Sequence, residues 1–162
     1  MAGSERPLHV LIVCLGNICR SPMGHAVMEH EAKKKGLNLV VDSAGTAAYH
    51  EGEEPDERTV ATCKKHGVPI DHLARAVVQN DFKTFDYILA SDTQNLENLR
   101  RVAPKGSKAK IALFGSFDDN KPIQDPYYGG MRGFEKTYEQ CVQYSHAFFD
   151  YVSANGSPTA SL

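Results

Sequence analysis

Cysteine is scarce in this 162-residue chain. Cys14, Cys19, Cys63 and Cys141 are too few for a disulfide-stapled scaffold in a chain long enough to bury its own core, and such usage suits a reducing, cytoplasmic setting. Long apolar runs are missing as well. The N-terminus MAGSERPLHV is charged early and its apolar stretch ends at Val13, too short for a secretory segment. Nowhere do roughly 18 apolar residues follow one another, so no membrane span is expected. Charge of one sign is also lacking: 18 Lys+Arg against 20 Asp+Glu leave a formal net charge of -2. No global field therefore marks the chain for nucleic acid or an anionic membrane, and any anion site must be local. Cys14 and Cys19 have no second closely spaced Cys or His pair of the kind a structural zinc site uses, so neither a metal nor another cofactor is expected.

What is present is a strand and helix alternation. The run LHVLIVC over 8–14 reads as a strand buried on both faces, and Pro22 to Lys35, with Met23, Ala26 and Val27 at helical spacing and Gly36 as a stop, reads as a helix. Leu39 to Asp42 reads as a second strand, and Pro55-Asp56-Glu57 opens a helix that stops at Gly67. A third strand at Phe85–Ala90 leads through Ser91-Asp92 into a helix carrying Leu96, Leu99 and Ala103, and a fourth strand follows at Lys110–Phe114. A closing helix shows as the stripe Phe134, Tyr138, Cys141, Val142, Ser145, Phe148, Phe149 and Val152. This order predicts an α/β fold with a parallel sheet covered on both faces, and ligands beyond the strands' carboxyl ends. One domain over 8–152 is expected, with 1–7 as an extension and 153–162 as a flexible tail.

At the carboxyl end of the first strand stands Cys14-Leu15-Gly16-Asn17-Ile18-Cys19-Arg20-Ser21-Pro22, running straight into a helix. A loop of this length can turn several backbone N–H groups toward one point, and the helix dipole adds a preference for an anion. The same groups favour a thiolate at Cys14, the reactive form of cysteine. Arg20 supplies a planar fork for two phosphoryl oxygens. Ser21 can donate to the sulfur, and Asn17 can lock the loop by side-chain hydrogen bonds. Cys14 alone fits an inert buried residue equally well; Arg20, Ser21 and the strand-to-helix setting together point to chemistry. The loop lacks the Gly-Lys-Ser/Thr ending of a nucleotide-triphosphate cradle.

Protonation of an ester leaving group needs a carboxylic acid, and the loop after the fourth strand offers Asp125-Pro126-Tyr127-Tyr128-Gly129-Gly130. Taken alone, that segment fits a plain surface turn as well as it fits an acid loop.

Together, VCLGNICRSP and DPYYGG, with DSAGT at 42–46, HGVPIDHLAR at 66–75 and TFDYIL at 84–89, make the chain resemble the low-molecular-weight protein tyrosine phosphatases over about residues 8–152. The resemblance implies a four-stranded parallel sheet in a three-layer, Rossmann-like arrangement and a metal-free, two-step hydrolysis through a phosphocysteine. It implies Cys14 as nucleophile, Arg20 with the amides of 15–20 on the oxygens, and Asp125 as acid and then base. Asn17, Ser43 and His72 resemble a network that holds the loop, although His72 also fits a solvated loop position. Leu15, Tyr49, Tyr127 and Tyr128 resemble the walls of a slot for aryl phosphates. Expected partners are tyrosine-phosphorylated proteins or small aryl phosphates as substrates and inorganic phosphate as product, with the chain a monomer or weak dimer. Cys19 is placed to trap oxidised Cys14 as a disulfide, which peptide mapping after mild peroxide tests, or else is a packed loop residue. Tyr127 and Tyr128 are also candidate phosphorylation targets, and pocket walls otherwise.

Two rivals remain at this point. Arsenate reduction on the same architecture relays electrons through two later cysteines, and none stands between Cys63 and Cys141. A silent phosphotyrosine-binding module would be free to lose Cys14 or Asp125, and both are present.

Overall fold

In the computed structural model, which describes residues 6–155, the elements follow one another as β1 (Leu8–Cys14), α1 (Arg20–Lys35), β2 (Leu39–Gly45), α2 (Glu57–Lys65), α3 (Asp81–Thr84), β3 (Tyr87–Ala90), α4 (Thr93–Val102), β4 (Lys110–Leu113) and α5 (Gly130–Ala154). Short 3-10 turns occupy Phe114–Phe117 and Pro126–Tyr128. All four strands are parallel, in the order β2-β1-β3-β4. The expected α/β class is therefore the observed one. Among the described residues no helix is long and apolar enough to cross a membrane.

The run of apolar residues in β1 follows from its central place. Side chains alternate across a strand, so Val10 and Ile12 enter one core with Met23, Val27, Phe148 and Phe149, while Leu11 and Val13 enter the other with Phe82, Ile88 and Leu99. Helices α1 and α5 contribute to the first core, α3 and α4 to the second. After β1 the chain moves outward to β2, then returns to lay β3 on the other flank of β1. The carboxyl ends of β1 and β3 thus bound a topological switch point, where parallel sheets open a crevice.

The element limits differ from the sequence expectation in instructive ways. Strand β2 runs to Gly45 rather than Asp42, because β1 pairs with it through Cys14↔Gly45. A side chain at Gly45 would bring its Cβ to 2.6 Å from the Leu15 carbonyl oxygen, so only glycine lets the two strand ends close here. Strand β3 begins at Tyr87 rather than Phe85. Phe85 instead ends α3, and Asp86 turns to accept from the His9 amide at 2.9 Å and from Arg6. That ion pair ties Arg6, within the expected N-terminal extension, to the sheet. Strand β4 stops at Leu113, and Phe114 begins a 3-10 turn. Helix α5 begins at Gly130, four residues before the apolar stripe, and continues to Ala154, so the expected tail overlaps its last turn at 153–154. Asn155 follows as the cap of this helix, and the remaining residues of the expected flexible tail, 156–162, lie outside the described residues, as do residues 1–5.

Candidate active site

Cys14 is the last residue of β1 and is buried. Its Sγ lies 3.0 Å from Ser21 Oγ and accepts the Asn17 amide at 3.3 Å. The Asn17 side-chain amide donates to Ser21 Oγ at 2.7 Å. With its oxygen so occupied, Ser21 directs its own proton to the sulfur or to the Ala44 carbonyl, and the sulfur at 3.0 Å is nearer than the carbonyl at 3.4 Å. Among the described residues the amides of Gly16, Ile18 and Cys19 donate to no protein acceptor, which leaves them for an anion above the sulfur.

The loop keeps this shape through strain that its surroundings offset. Asn17 is fully buried with φ of 59°, in the left-handed region. Its Oδ1 accepts from His72 Nε2 at 2.8 Å and from the Arg75 amide at 3.0 Å. Ser43 Oγ lies 3.2 Å from His72 Nε2 and 3.1 Å from His25 Nδ1. Asn17, Ser43 and His72 are thus brought together beneath the loop, joined by His25 and Arg75, which sequence reasoning did not single out.

Arg20, in the first turn of α1, is buried to 4% exposure. Its Nη1 donates to Asp92 Oδ2 at 2.7 Å and to the Ile123 carbonyl at 2.9 Å, while Nη2 stands 3.9 Å from Asp125 Oδ2. Burial by itself would lower the Arg20 pKa, but the negative charges of Cys14, Asp92 and Asp125 outweigh it and raise it. Asp92, at the carboxyl end of β3, also caps α4 by accepting the Asn95 amide at 2.8 Å, with the Asn95 side chain returning the bond. An acidic residue just past a strand of a parallel sheet was the available signal for it.

Asp125 precedes the turn Pro126–Tyr128 and accepts the Tyr127 amide at 3.0 Å. Arg58 of α2 secures this segment: it is paired with Asp56 at 3.0 Å, donates to the Tyr127 carbonyl at 3.0 Å, and stacks 5.1 Å from the Tyr127 ring centroid.

These elements meet in a pocket of about 300 Å³ lined by Cys14, Arg20, Asp125, Leu15, Tyr49 and Tyr127, with Gly16, Ile18, Cys19 and His50 completing the wall. Tyr49 is 73% exposed, so it forms a rim. Of the expected slot residues, the side chain of Tyr128 lies outside the described structure. His50 was not foreseen; it packs where a side chain on Gly16 would sit. The Cys19 thiol is pushed up to about 12, chiefly by burial and next by Asp56, which keeps it protonated near neutrality.

The histidine pair under the loop carries a pH dependence. Burial, aided by repulsion from His72, holds His25 down at about 4 against an ordinary value of 6.5, despite attraction from Asp42. The unfolded chain therefore binds a proton between these values that the folded chain refuses, and stability is lost as the pH falls through that window. Urea denaturation at pH 7 and near pH 4.5 is expected to show wild type losing more stability than His25→Gln, with a full His25 contribution of about 3 kcal/mol. An identical loss in both proteins would refute it.

The model for the family described as low molecular weight phosphotyrosine protein phosphatase matches residues 9–157. A protein of that name from Schizosaccharomyces pombe is 48% identical over 152 residues, covering 90% of this chain and 97% of the relative. The Homo sapiens protein of the same name is 47% identical over 147 residues, covering 87% of this chain and 93% of the relative. The crystal structure of a protein tyrosine phosphatase from Entamoeba histolytica with Hepes in its active site superposes with a TM-score of 0.87 at 36% identity, covering 92% of this chain and 99% of that one. The family match spans the loop and helix that build the pocket as well as the Asp125 turn, and with the identities of these relatives it shows that the chain belongs to the low molecular weight phosphotyrosine protein phosphatase family.

Proposed function

We propose that this phosphatase hydrolyses phosphotyrosine in proteins, and small aryl phosphates, through a phosphocysteine formed on Cys14. The observation that carries this reading is the convergence of Cys14, Arg20 and Asp125 in one pocket with Leu15, Tyr49 and Tyr127 around it. An aryl ring is flat and apolar, and those side chains offer it walls while the charged groups meet at the floor.

The Cys14 thiolate attacks phosphorus as the bond to the aryl oxygen breaks, and Asp125 gives its proton to the departing phenoxide. Because Arg20 Nη1 is occupied by Asp92 and Ile123, the Nε and Nη2 edge of the guanidinium is left to grip two equatorial oxygens. The Gly16, Ile18 and Cys19 amides hold the same oxygens from the loop side. In the second step Asp125, now a carboxylate, takes a proton from water, the water attacks phosphorus, and inorganic phosphate leaves. The Ser21 hydroxyl and the Asn17 amide stabilise the thiolate as it is released.

The four cysteines are all free, which supports a reducing compartment, the cytoplasm, as the working environment.

The reading is tested by quenching the enzyme during turnover and mapping phosphate on the Cys14 peptide. A second check separates the acid from the nucleophile. Asp125→Asn is expected to lower kcat/KM, which reports the first step alone, for phenyl phosphate by about 10²- to 10⁴-fold, and for p-nitrophenyl phosphate by less, because a better leaving group needs less protonation. Equal losses of kcat/KM on both substrates would remove Asp125 from the role of acid.

A further inference from the structure

Behind the phosphate loop, His25 and His72 line a surface depression separate from the substrate pocket, and Asp42 stands beside them with Oδ1 accepting the Ser43 amide at 2.8 Å. A ring nitrogen of His25, one of His72 and a carboxylate oxygen of Asp42 lie within 4.8 Å of one another. We propose that His25, His72 and Asp42 form a binding site for a divalent transition-metal ion of the zinc class.

The hydrogen bonds around His72 orient it for this task. Asn17 Oδ1 takes the Arg75 amide at 3.0 Å, which identifies that atom as the acceptor, so His72 Nε2 at 2.8 Å from it must be the protonated nitrogen. The lone pair is then on Nδ1, which stands 3.8 Å from Asp42 Oδ1, too far for a hydrogen bond and close to the spacing of two ligands on one ion. A ligating imidazole whose other N–H is held by a fixed oxygen is the usual second-sphere arrangement of zinc histidines. His25 Nδ1 faces the Ser43 hydroxyl at 3.1 Å, a rotor that can turn aside.

The local charge also admits a cation. Arg75 pairs with Asp42 at 3.1 Å, but Asp81 holds the same guanidinium through Nη1 at 3.0 Å and Nη2 at 3.1 Å, so one cation is shared between two carboxylates. Glu29 and Asp71 stand with His25 and His72 on the wall of the depression, adding two carboxylates to its approach. Binding at His72 Nδ1 leaves its Nε2 bond to Asn17 in place, so the ion braces the left-handed Asn17 rather than releasing it.

The test uses the full chain carrying Cys14→Ser, which removes the pocket thiolate as a competing ligand, titrated with Co²⁺ and with Zn²⁺ alone. Expected are one Co²⁺ per chain with visible ligand-field bands and no thiolate-to-cobalt charge-transfer band, and a higher thermal midpoint with Zn²⁺. Adding His25→Gln is expected to weaken the affinity at least about tenfold, as does Asp42→Asn. If those variants do not fold, zinc-dependent shifts of the His25 and His72 ring protons in the Cys14→Ser protein decide the matter. A charge-transfer band, affinity indifferent to both substitutions, unshifted rings, or no saturable binding would overturn the proposal.

Discussion

Cys14→Ser is expected to lower kcat for p-nitrophenyl phosphate by at least about 10⁴-fold, the loss seen when a covalent nucleophile is removed while binding groups stay in place. The size follows from what a hydroxyl would have to do there. A serine hydroxyl is ionised far less readily than a thiol, and the loop contains no base to take its proton: the groups that meet Sγ are a hydroxyl and an amide, both donors to it. Every other contact to phosphate survives, because the amides of Gly16, Ile18 and Cys19 and the Arg20 guanidinium do not depend on the sulfur for their placement. The variant is therefore expected to fold and to bind inorganic phosphate within about tenfold of wild type. Activity retained within about tenfold of wild type would mean that hydrolysis does not pass through Cys14.

The elements of the sheet and helices were legible because each is encoded locally. The run from Leu8 to Cys14 needs only its own composition to read as a central strand, and α1 is bounded by Gly36, whose φ of 69° is the left-handed stop that the sequence suggests. Boundaries set by a partner were not legible. Strand β2 extends to Gly45 because β1 reaches that far beside it, and Phe85 leaves β3 because α3 claims it. Tyr144 escaped the α5 stripe for a similar reason. Its ring is fully buried against Phe114, and its hydroxyl reaches Asp119 at 2.7 Å, a partner on a loop 25 residues earlier.

The site divides in the same way. Cys14 to Ser21 is one contiguous segment whose chemistry can be read from spacing. Asp92 shows in the sequence only as an acidic residue just past a strand, and its contact to Arg20 does not; Arg58 and His25 carry no such signal, since each is defined by a contact across the fold, to Tyr127 and to the Ser43 and His72 pair. The expectation of no metal rested on Cys and His spacing along the chain. The cluster of His25, Asp42 and His72 is assembled from α1, β2 and the segment before the Gly45↔Ala76 bridge, and no sequence spacing announces it.

Arg20→Lys is expected to lower kcat by about 10³-fold, at the lower end of what an arginine on a transferring phosphoryl group contributes. A lysine keeps the charge, so the distinction lies in geometry. Arg20 spends Nη1 on Asp92 and the Ile123 carbonyl, and this anchoring fixes the plane of the guanidinium so that its remaining edge faces the pocket. A lysine ammonium is a single point with three donors. If it stays with Asp92 it leaves the equatorial oxygens without a fork, and if it moves to the phosphate it leaves the Ile123 carbonyl and Asp92 unanswered. Either choice is felt most in the transition state, where the equatorial oxygens spread and two parallel donors are needed at once. The ground-state dianion still meets a positive charge and the loop amides, so the inhibition constant of inorganic phosphate should rise by less than about tenfold while kcat falls. Steady-state kinetics with phosphate as a competitive inhibitor separates the two effects. Parallel losses in kcat and in phosphate affinity would make Arg20 a clamp on the bound substrate, with no selective grip on the transition state.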